Sequence, residues 1–562
     1  MPPRSAAARA PNSSPPPDSP DRRRTLQILG ALGLASSLLP RSIVDARADG
    51  PGDDVCASGA QALPLVVPGS RGYLGRLEPR GAPLTLIAGQ AGALPPGIVH
   101  GGLAYRVRHG GRDFINPTLV AHPGEHLRIS FANRLANPTI VHWHGLTVDT
   151  QNDGSGMRVI APGEGYQYDF EVRDRAALYW YHPHPHGQTG EQVYQGLYGA
   201  IEVEDEDDAA LRRALDVEPG KTEIPLVLQD RRTTGGYKAT EADRMHGFLG
   251  DAMYVNGRAC PYLDTATRLY RFRILNACNA RTLCIAWRTA SGTRIPMTVI
   301  GNDGGLLPAP QPAQQVFLAA AERLDVLVDL RDASVGETMV LESLAFDPMH
   351  AEMETPAPAV DHAAMGHGAA PPAEDHSVHE GHVHAGAWPE GSARALMELR
   401  VRRRVAYDRR VPATLSAIAP IDVADARERP FRLGFNKGRW RINDRVFVMG
   451  ETPIEVARDT TEVWLLRNYH TSMPHAMHLH GFHMDVRERE TSPDFIRALA
   501  VDAQGRLPTD FGRRDTVLVW PGESVRVAIR FALPFNGPQT YVFHCHNLEH
   551  EDGGMMLGVK VA

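Results

Sequence analysis

The sequence predicts an all-β protein that is built from three antiparallel β-sandwiches. From about residue 65 onwards, short runs of alternating apolar and polar residues are separated by Pro, Gly, Asn and Asp, and long helical periods are rare. Two sequence pieces also recur along the chain, which indicates an internal repeat. Three copies of the repeat imply three sandwiches of similar design, and we place them at 60–205, 220–345 and 395–562.

The first recurring piece is an Arg-rich strand that ends in Asn. It occurs at Leu127–Asn133, Tyr270–Asn276 and Val463–Asn468. The second piece is a turn followed by an alternating strand. The turn occurs at Ala161–Glu164, in a looser form at Ala320–Glu322, and at Trp520–Glu523.

Length and charge describe a large protein with no nucleic-acid partner. The 562 residues allow about three or four domains. They include 59 Lys and Arg against 66 Asp and Glu, which gives a net charge of -7. The one dense basic run outside the N-terminus, Arg400–Arg404, is typical of a solvated strand edge.

Residues 1–48 are typical of an export signal. Arg22–Leu26 precedes an apolar run, Leu26–Leu39, which is too short to span a bilayer. Ala46–Ala48 then offers a small-residue cleavage site. Paired Arg before a modest apolar run resembles a twin-arginine signal. This predicts a periplasmic protein that uses the twin-arginine export machinery and keeps no membrane anchor after processing; a short membrane anchor is the alternative.

His-x-His pairs occupy equivalent positions in the first and third copies, and the middle copy has none. The pairs are His142 with His144, His182 with His184, His478 with His480, and His544 with His546. Residues two apart on a strand share a face, so each pair presents two imidazoles to one side. We expect the four pairs to converge where the first and third sandwiches meet. Eight imidazoles exceed the needs of one metal and suit a cluster of about three coppers.

Cys545 lies between two of these His and points to the opposite face of its strand. Its thiolate, His550 and the thioether of Met555 form a soft sulfur–nitrogen set, and His475 supplies a second imidazole. Two His, one Cys and a long axial Met form the ligand set of a blue-copper electron-transfer site. An electron that arrives at Cys545 is then one peptide unit from the neighbouring cluster.

These motifs resemble the four copper signatures of the multicopper oxidases, especially the three-domain bacterial laccase-like, bilirubin-oxidising and cuprous oxidase members. The runs are His142–Gly145, Trp180–His184, His475–Gly481 and His544–Met555. The resemblance covers nearly the whole exported chain and implies three cupredoxin-like Greek-key domains, of which the second is copper-free. One departure is that Pro474 precedes His475, where many members have His followed by Pro. This changes a neighbour of the ligand and leaves the ligand itself in place.

The resemblance also implies four copper ions and assigns their ligands. The type 1 copper would be held by His475, Cys545, His550 and Met555. The type 2 copper would be held by His142 and His478. The type 3 pair would be held by His144, His182, His184, His480, His544 and His546.

Two acids stand beside these ligands. Asp153 follows the first His pair, and Glu551 follows His550 directly. Reduction of dioxygen to water consumes four protons, so carboxylates are needed as donors in a site that excludes solvent. Similar enzymes carry an acid at both positions. The alternatives are a surface turn residue or a hydrogen bond that orients a ligand.

Export permits disulfides. With Cys545 assigned to metal, Cys56, Cys260, Cys278 and Cys284 remain, and they allow three full pairings. The sequence does not choose among them.

Residues 346–394 form a His-rich linker between the second and third sandwiches. Phe346–Trp388 is rich in Ala, Pro, Gly and acids, a composition that predicts disorder. Its His and Met on a mobile tether suit copper capture; a neutral linker with incidental His is the alternative. The residues are His350, His362, His367, His376, His379, His382 and His384, with Met349, Met353 and Met365.

The residues and the resemblance together imply an oxygen-dependent oxidoreductase that takes single electrons from a substrate and reduces dioxygen to water. We expect Cu(I) as the donor, in copper tolerance. Met555 as an axial ligand indicates a modest potential, which favours easily oxidised substrates. A laccase-like oxidase of phenols or pigments is the alternative. Outside enzymes, the alternatives are a copper-sequestering resistance protein and a structural partner in the cell envelope that has lost its coppers.

Overall fold

The structure is a computed structural model that describes Cys56 and residues 62–350 and 388–562. Strands take up 44% and helices 7% of the chain, which confirms the all-β prediction. The predicted export signal lies outside the described residues, as does the linker between residues 351 and 387.

The first sandwich contains eleven strands and one short helix, and a second helix follows it. Its strands are β1 (Gly72–Tyr73), β2 (Arg76–Leu77), β3 (Leu84–Gln90), β4 (Leu103–His109), β5 (Arg112–Ile115), β6 (Thr118–Ala121), β7 (His126–Asn133), β8 (Val141–His144), β9 (Gly165–Glu171), β10 (Ala177–Pro183) and β11 (Gly199–Val203). The helices are α1 (Thr189–Tyr194) and α2 (Glu206–Leu215). The strand orders are β1-β5-β4-β3-β7-β9 and β2-β6-β11-β10-β8. Trp143 is buried in the core between the two sheets.

The second sandwich is larger. Its elements are β12 (Glu223–Arg231), α3 (Glu241–His246), β13 (Ala252–Val255), β14 (Arg258–Ala259), β15 (Tyr262–Ala266), β16 (Leu269–Asn276), β17 (Leu283–Thr289), β18 (Arg294–Ile295), β19 (Met297–Asn302), β20 (Gly305–Ala313), β21 (Gln315–Leu318), β22 (Arg323–Asp329), β23 (Thr338–Ser343) and β24 (Arg394–Arg403). The strand orders are β14-β13-β12-β16-β22-β19-β20 and β15-β24-β23-β17-β18, with β21 on β17. Trp287 is buried in its core.

The third sandwich completes the chain. Its elements are β25 (Arg427–Asn436), β26 (Arg439–Ile442), β27 (Ile454–Val456), β28 (Thr461–Asn468), β29 (His475–Leu479), β30 (Met484–Glu490), α4 (Asp494–Arg497), β31 (Thr516–Val519), β32 (Ser524–Arg530), β33 (Gln539–Cys545), α5 (Leu548–Asp552) and β34 (Met556–Val561). The strand orders are β26-β25-β28-β32-β30 and β27-β34-β33-β29-β31. Trp464 is buried in its core.

The repeated sequence pieces form equivalent strands in the three sandwiches. The Arg-rich strands β7, β16 and β28 each pair antiparallel with the strand after the repeated turn, which is β9, β22 or β32. The Asn at the end of each strand uses its side-chain amide to bind two backbone oxygens. Asn133 binds the oxygens of Asn137 and Ile160, and Asn276 and Asn468 make equivalent pairs of bonds. The repeat therefore preserves a polar tie between the strand end and the loops beside it.

The sheets are mixed, whereas the sequence predicted antiparallel ones. The Arg-rich strands pair in parallel with β3, β12 and β25 respectively. In the first sandwich the chain passes through β4 and β5 of the same sheet and β6 of the other sheet before it returns as β7 beside β3.

The boundary between the second and third sandwiches differs from the predicted one at residue 395. Strand β24 lies between β15 and β23 of the second sandwich. Leu396, Met397, Leu399 and Val401 from this strand are buried in the second core. The strand after the linker therefore closes the middle sandwich because its apolar residues fill that core.

One disulfide joins Cys56 to Cys260 of the second sandwich. Cys278 and Cys284 are buried free thiols. None of the three full pairings that the sequence allowed is therefore formed.

No helix within the described ranges combines the length and apolar character that crossing a bilayer requires.

Candidate metal centres

The four His pairs come together between the first and third sandwiches. In the first sandwich, β8 and β10 are antiparallel neighbours, with His142 opposite His182. In the third, β29 and β33 are neighbours, with His478 opposite His544. The ring of His144 stacks on that of His478 with centroids 3.8 Å apart. All eight imidazoles of the four pairs are buried.

The ring nitrogens fall into three groups, in each of which one nitrogen per ring lies within 4.8 Å of the others. The groups are His142 with His144 and His478; His144 with His182 and His546; and His184 with His480 and His544. Each group combines imidazoles from both outer sandwiches, so neither sandwich forms a group alone.

Several rings use one nitrogen to bind the protein backbone and point the other inwards. Nδ1 of His142 lies 2.7 Å from the backbone oxygen of Asp153, and Nδ1 of His182 lies 2.9 Å from that of Pro183. A carbonyl oxygen can only accept, so these Nδ1 atoms carry the hydrogen and the Nε2 atoms present lone pairs. The Nε2 atoms of His142, His182 and His478 are buried and have no hydrogen-bond partner among the described residues.

Inward-facing lone pairs of this kind fit a metal. Buried polar atoms ordinarily have hydrogen-bond partners, so a group of orphaned ones requires an explanation such as an ion. Burial, followed by repulsion between neighbouring rings, lowers the pKa of His142, His182 and His546 well below the usual value. The rings are therefore neutral, which is the form that binds metal, and imidazole is a good ligand for copper.

A separate group of side chains that could hold a metal contains the thiol. Sγ of Cys545 lies 3.5 Å from Nδ1 of His475 and 3.6 Å from Nδ1 of His550. Met555 is buried in the same apolar cluster, and its backbone oxygen accepts the N–H of Cys545 at 3.0 Å. Burial raises the pKa of the Cys545 thiol to about 12. A thiolate is thus unfavourable here unless a cation such as a metal ion accompanies it.

Contacts outside this site fix the orientation of its two imidazoles. Nε2 of His550 lies 2.9 Å from the backbone oxygen of Met245, on α3 of the middle sandwich. Nε2 of His475 lies 3.2 Å from Oγ of Ser472. Trp440 packs against both rings, with centroid distances of 4.7 and 5.0 Å. These contacts hold the Nδ1 atoms towards the sulfur, as outer contacts of metal ligands commonly do.

Comparison with known proteins identifies the family of the chain. Residues 102–208 and 422–562 match sequence profiles described as multicopper oxidase. The crystal structure of the McoA multicopper oxidase from the hyperthermophile Aquifex aeolicus superposes with a TM-score of 0.74 at 32% identity, over 89% of this chain and all of that one. This chain belongs to the multicopper oxidase family.

Two further relatives of the oxidase carry different names. Bilirubin oxidase from Albifimbria verrucaria is 29% identical over 453 residues, which cover 78% of this chain and 70% of the relative. Cell division protein FtsP from Xenorhabdus nematophila is 26% identical over 445 residues, or 79% of this chain and 82% of the relative. Family membership implies oxidoreductase chemistry with copper, and the residues described above fit that metal.

The predicted acid Asp153 lies against the His cluster of the oxidase. Its carboxylate accepts from Nδ1 of His480 at 3.0 Å, and its backbone oxygen binds His142. Burial raises the pKa of Asp153 well above its usual value. Asp153 therefore contacts one ring of the cluster through its carboxyl and another through its backbone oxygen, and it is buried, so it is not a surface turn residue.

The second predicted acid, Glu551, lies on the other side of the cluster, on α5. Its carboxylate accepts from Oγ1 of Thr189 at 2.7 Å. Its two oxygens lie 3.4 Å from Nδ1 of His184 and 3.4 Å from Nδ1 of His544. Burial, followed by the charge of Asp552, raises the pKa of Glu551 well above its usual value.

Asp515 is a site residue that sequence reasoning missed. Its Oδ1 lies 3.0 Å from Nε2 of His144, and its backbone oxygen lies 2.8 Å from Nδ1 of His478. Burial would raise the pKa of Asp515, but Arg323 and His144 hold it well below the usual value. The oxidase thus keeps an anion behind two rings of the cluster.

The cation that faces Asp515 comes from the middle sandwich. Nη1 of Arg323 lies 2.8 Å from Oδ1 of Asp515, and Nη2 binds the other carboxylate oxygen. Both side chains are buried. Arg323 follows Glu322 in the middle copy of the repeated turn, so the repeat marks the position. Nothing in the sequence connects it with an Asp that lies 192 residues away.

Proposed function

We propose that this oxidase takes electrons singly at a type 1 copper and uses them at a three-copper cluster to reduce dioxygen to water. The observation that carries the proposal is the set of anchored imidazoles whose free nitrogens converge beside a separate Cys–His–His site. Bound copper would supply the electron storage and the oxygen chemistry; the chain supplies ligands, a path between the centres and protons.

In this proposal the type 1 copper is held by His475, Cys545, His550 and Met555. The three nitrogen groups support one copper on His142 and His478, a second on His144, His182 and His546, and a third on His184, His480 and His544.

Cys545 connects the two centres. Its backbone oxygen lies 3.0 Å from Nδ1 of His544, and His546 is the next residue in the chain. An electron at the sulfur therefore has two short routes to the cluster, one through a hydrogen bond and one through a single peptide unit. No mobile carrier is needed.

Asp153 and Glu551 would deliver protons from opposite sides of the cluster. Both carboxyls are buried and lie within 3.4 Å of ring nitrogens on the outer edge of the cluster. General acids act at this range, either directly or through one water.

We further propose that Cu(I) is a donor. The ring of His246 lies 5.7 Å from that of His350, and Nε2 of His350 lies 3.1 Å from the carboxylate of Glu390. The backbone oxygen of Met245, the neighbour of His246, binds Nε2 of His550, so this pair of His lies beside the type 1 site. Imidazole is a suitable copper ligand, and the chain continues from His350 into the His-rich linker.

The proposed setting is the periplasm, which the protein would reach by the twin-arginine route. A laccase-like activity on phenols or pigments is the second candidate, which the name of the bilirubin oxidase relative favours. Two candidates are not enzymes: copper sequestration without turnover, and a structural role in the envelope. The name of the cell division relative favours the structural role.

One experiment separates these functions. Oxygen uptake by the copper-loaded chain is measured with Cu(I) and with a neutral phenol, for the wild type, Cys545→Ser and His246→Ala/His350→Ala. We expect Cys545→Ser to lose the blue absorption and both activities, because the sulfur is a ligand and part of the electron path. We expect His246→Ala/His350→Ala to raise KM for Cu(I) by about tenfold or more, a loss of about 1.4 kcal/mol, with the phenol rate unchanged.

The matched control is His122→Ala/His126→Ala, which removes two exposed His of the first sandwich. An unchanged KM for Cu(I) in His246→Ala/His350→Ala would reject this donor site and leave the organic donor. A copper-loaded wild type that takes up no oxygen with either donor would contradict the enzyme and favour sequestration or a structural role.

A further inference from the structure

A cleft of about 370 Å³ opens on the third sandwich, near the type 1 site. It is lined by two strands of one sheet and by the segment that precedes His475. The lining residues that matter here are Arg432, Phe435, Arg441, Asp444, Tyr469 and Thr471. This volume is in the range of sites for small organic molecules.

Two short contact paths connect the cleft with the imidazoles of the type 1 site. The ring of Phe435 lies 5.1 Å from that of Trp440, and Trp440 packs directly on His475 and His550. The indole N–H of Trp440 donates to the backbone oxygen of Met245 at 2.6 Å, which fixes the ring. The second path runs from Thr471 to its neighbour Ser472, whose Oγ contacts His475.

The cleft combines positive charge with aromatic faces. Arg432 donates to the carboxylate of Asp444 at 3.4 Å, and Arg441 donates to the backbone oxygens of Asn436 and Asp444. Asp444 is the one acidic side chain that lines the cleft, so the lining carries two guanidinium groups and one carboxylate. Guanidinium groups bind carboxylates in a fixed planar geometry and also stack on aromatic rings.

The Tyr469 ring in the lining of the cleft packs against the backbone of Gly434. Tyr469 is 44% exposed, yet its ring lies close to Gly434, where a Cβ would come within 2.2 Å of a ring carbon. A side chain at residue 434 would displace the ring. Tyr469 and Phe435 thus place two aromatic side chains in the lining of the cleft, which suits an aromatic ligand.

We propose that this cleft binds an anionic aromatic reductant, a phenol that carries a carboxylate, and passes its electron through Phe435 and Trp440 to the type 1 site. The proposal rests on the proposed oxidase function and deepens it: it gives the phenol donors named there a binding site and a preference for those that carry a carboxylate. Positive charge disfavours Cu(I) here, so the two donors enter on different sides: Cu(I) beside the middle sandwich, and the aromatic anion on the third sandwich.

The chemistry balances without another reactant. Each phenol loses one electron to the chain, and its O–H bond breaks to release one proton and leave a phenoxyl radical. Four phenols supply four electrons and four protons, and one dioxygen takes them up to form two waters.

Binding is tested first, with a probe that cannot be oxidised. Trimethoxybenzoate carries the ring and the carboxylate but no phenolic hydrogen, and its affinity for the copper-loaded full chain is measured by calorimetric titration. We expect saturable binding that weakens about tenfold or more in Arg432→Gln/Arg441→Gln. The matched control, Arg497→Gln/Arg530→Gln, changes two exposed Arg of the same sandwich and should stay within about twofold of the wild type. No saturable binding, or equal affinity in the cleft variant and the wild type, overturns the proposal.

Electron transfer is tested with a matched pair of donors, syringate and methyl syringate, in which a neutral methyl ester replaces the charged carboxylate. Loss of the blue absorption is followed without oxygen, and turnover is followed with oxygen. We expect Arg432→Gln/Arg441→Gln to raise KM for syringate about tenfold or more and to leave KM for the ester within about twofold. Added salt should weaken the preference of the wild type for syringate.

The outcomes distinguish this proposal from the proposed function. Equal changes in KM for the acid and the ester overturn the cleft assignment. A chain that oxidises Cu(I) but neither phenol also overturns the cleft assignment, although it supports the oxidase function. A chain that binds trimethoxybenzoate as expected and bleaches with syringate, but takes up no oxygen, supports the cleft and overturns the oxidase function.

Discussion

Arg323→Met tests whether the middle sandwich supports the cluster through its buried guanidinium. Nε of Arg323 donates to the backbone oxygen of Leu178 in the first sandwich at 3.0 Å. Nη1 binds Asp515 in the third sandwich at 2.8 Å. One side chain from the middle sandwich therefore joins all three. Methionine keeps much of the apolar volume and removes every donor.

The expected loss in the free energy of unfolding follows from the contacts that Asp515 keeps after Arg323→Met. Asp515 is buried and would lose its cation, while its contacts with His144 and Thr516 remain. Removal of one partner of a buried ion pair costs about 3–5 kcal/mol. Each 1.4 kcal/mol is a factor of ten, so the folded-to-unfolded ratio should fall by about 10² or more. With a urea slope of about 3 kcal/mol/M, the midpoint should move down by about 1 M or more.

The control is Arg331→Met in the same sandwich. Arg331 pairs with Asp329 at 2.5 Å, but its side chain is 39% exposed, and that of Asp329 is 40% exposed. An exposed pair contributes about 0–1 kcal/mol, so the two variants remove the same side chain with very different expected costs.

The assay is urea unfolding of the metal-free chain, followed by tryptophan fluorescence and compared transition by transition between the two variants. Electron paramagnetic resonance of the copper-loaded chain gives a second measurement. Because Asp515 contacts His144 and His478, Arg323→Met should also change the type 2 copper spectrum. Equal urea midpoints in Arg323→Met and Arg331→Met, together with an unchanged spectrum, would refute the supporting role of Arg323.

Two further predictions concern single carboxyls. In Asp153→Asn, the amide oxygen can still accept from His480, but the side chain cannot supply a proton. We therefore expect reoxidation of the reduced enzyme by an oxygen pulse to slow about 10²-fold, while anaerobic type 1 reduction is unchanged. An unchanged reoxidation rate and pH dependence would leave Asp153 only an orienting role. Burial would raise the pKa of Glu223, but Arg271 and Arg273 hold it well below the usual value. Its contribution to stability is therefore present above the unfolded pKa of about 4.3 and is lost as pH falls through the folded pKa. Glu223→Gln should accordingly lower the thermal midpoint at pH 7, and the gap to the wild type should narrow below about pH 4; a gap that stays constant with pH would contradict this.

The sequence predicted the convergence of the His pairs because the two-residue period of a strand places side chains without knowledge of the fold. His142 lies opposite His182 in register, and His478 lies opposite His544. The repeat placed these strands in equivalent sandwiches, so two local regularities were sufficient to predict an interface between distant parts of the chain. The same reasoning does not determine which nitrogen of each ring faces inwards, because that depends on backbone oxygens that only the folded chain brings near.

Residues that act through long-range contacts left no local signal. Asp515 precedes an apolar strand and Trp440 lies in a short hairpin strand, both ordinary positions for these residue types. The predicted domain boundary failed for a related reason. Strand β24 has the alternation of any half-buried strand, and only its partners β15 and β23 assign it to the middle sandwich.

The middle sandwich shows why a domain without predicted ligands still bears on both metal centres. Arg323 fixes Asp515, which holds Nε2 of His144 and so leaves Nδ1 of that ring for a metal. The backbone oxygen of Met245 binds Nε2 of His550 and likewise leaves its Nδ1 for the sulfur site. An imidazole binds a metal through one nitrogen, and the hydrogen bond at the other nitrogen selects which one. The middle sandwich, which holds none of the predicted ligands, therefore selects the nitrogen that is left for a metal on one imidazole of each proposed centre.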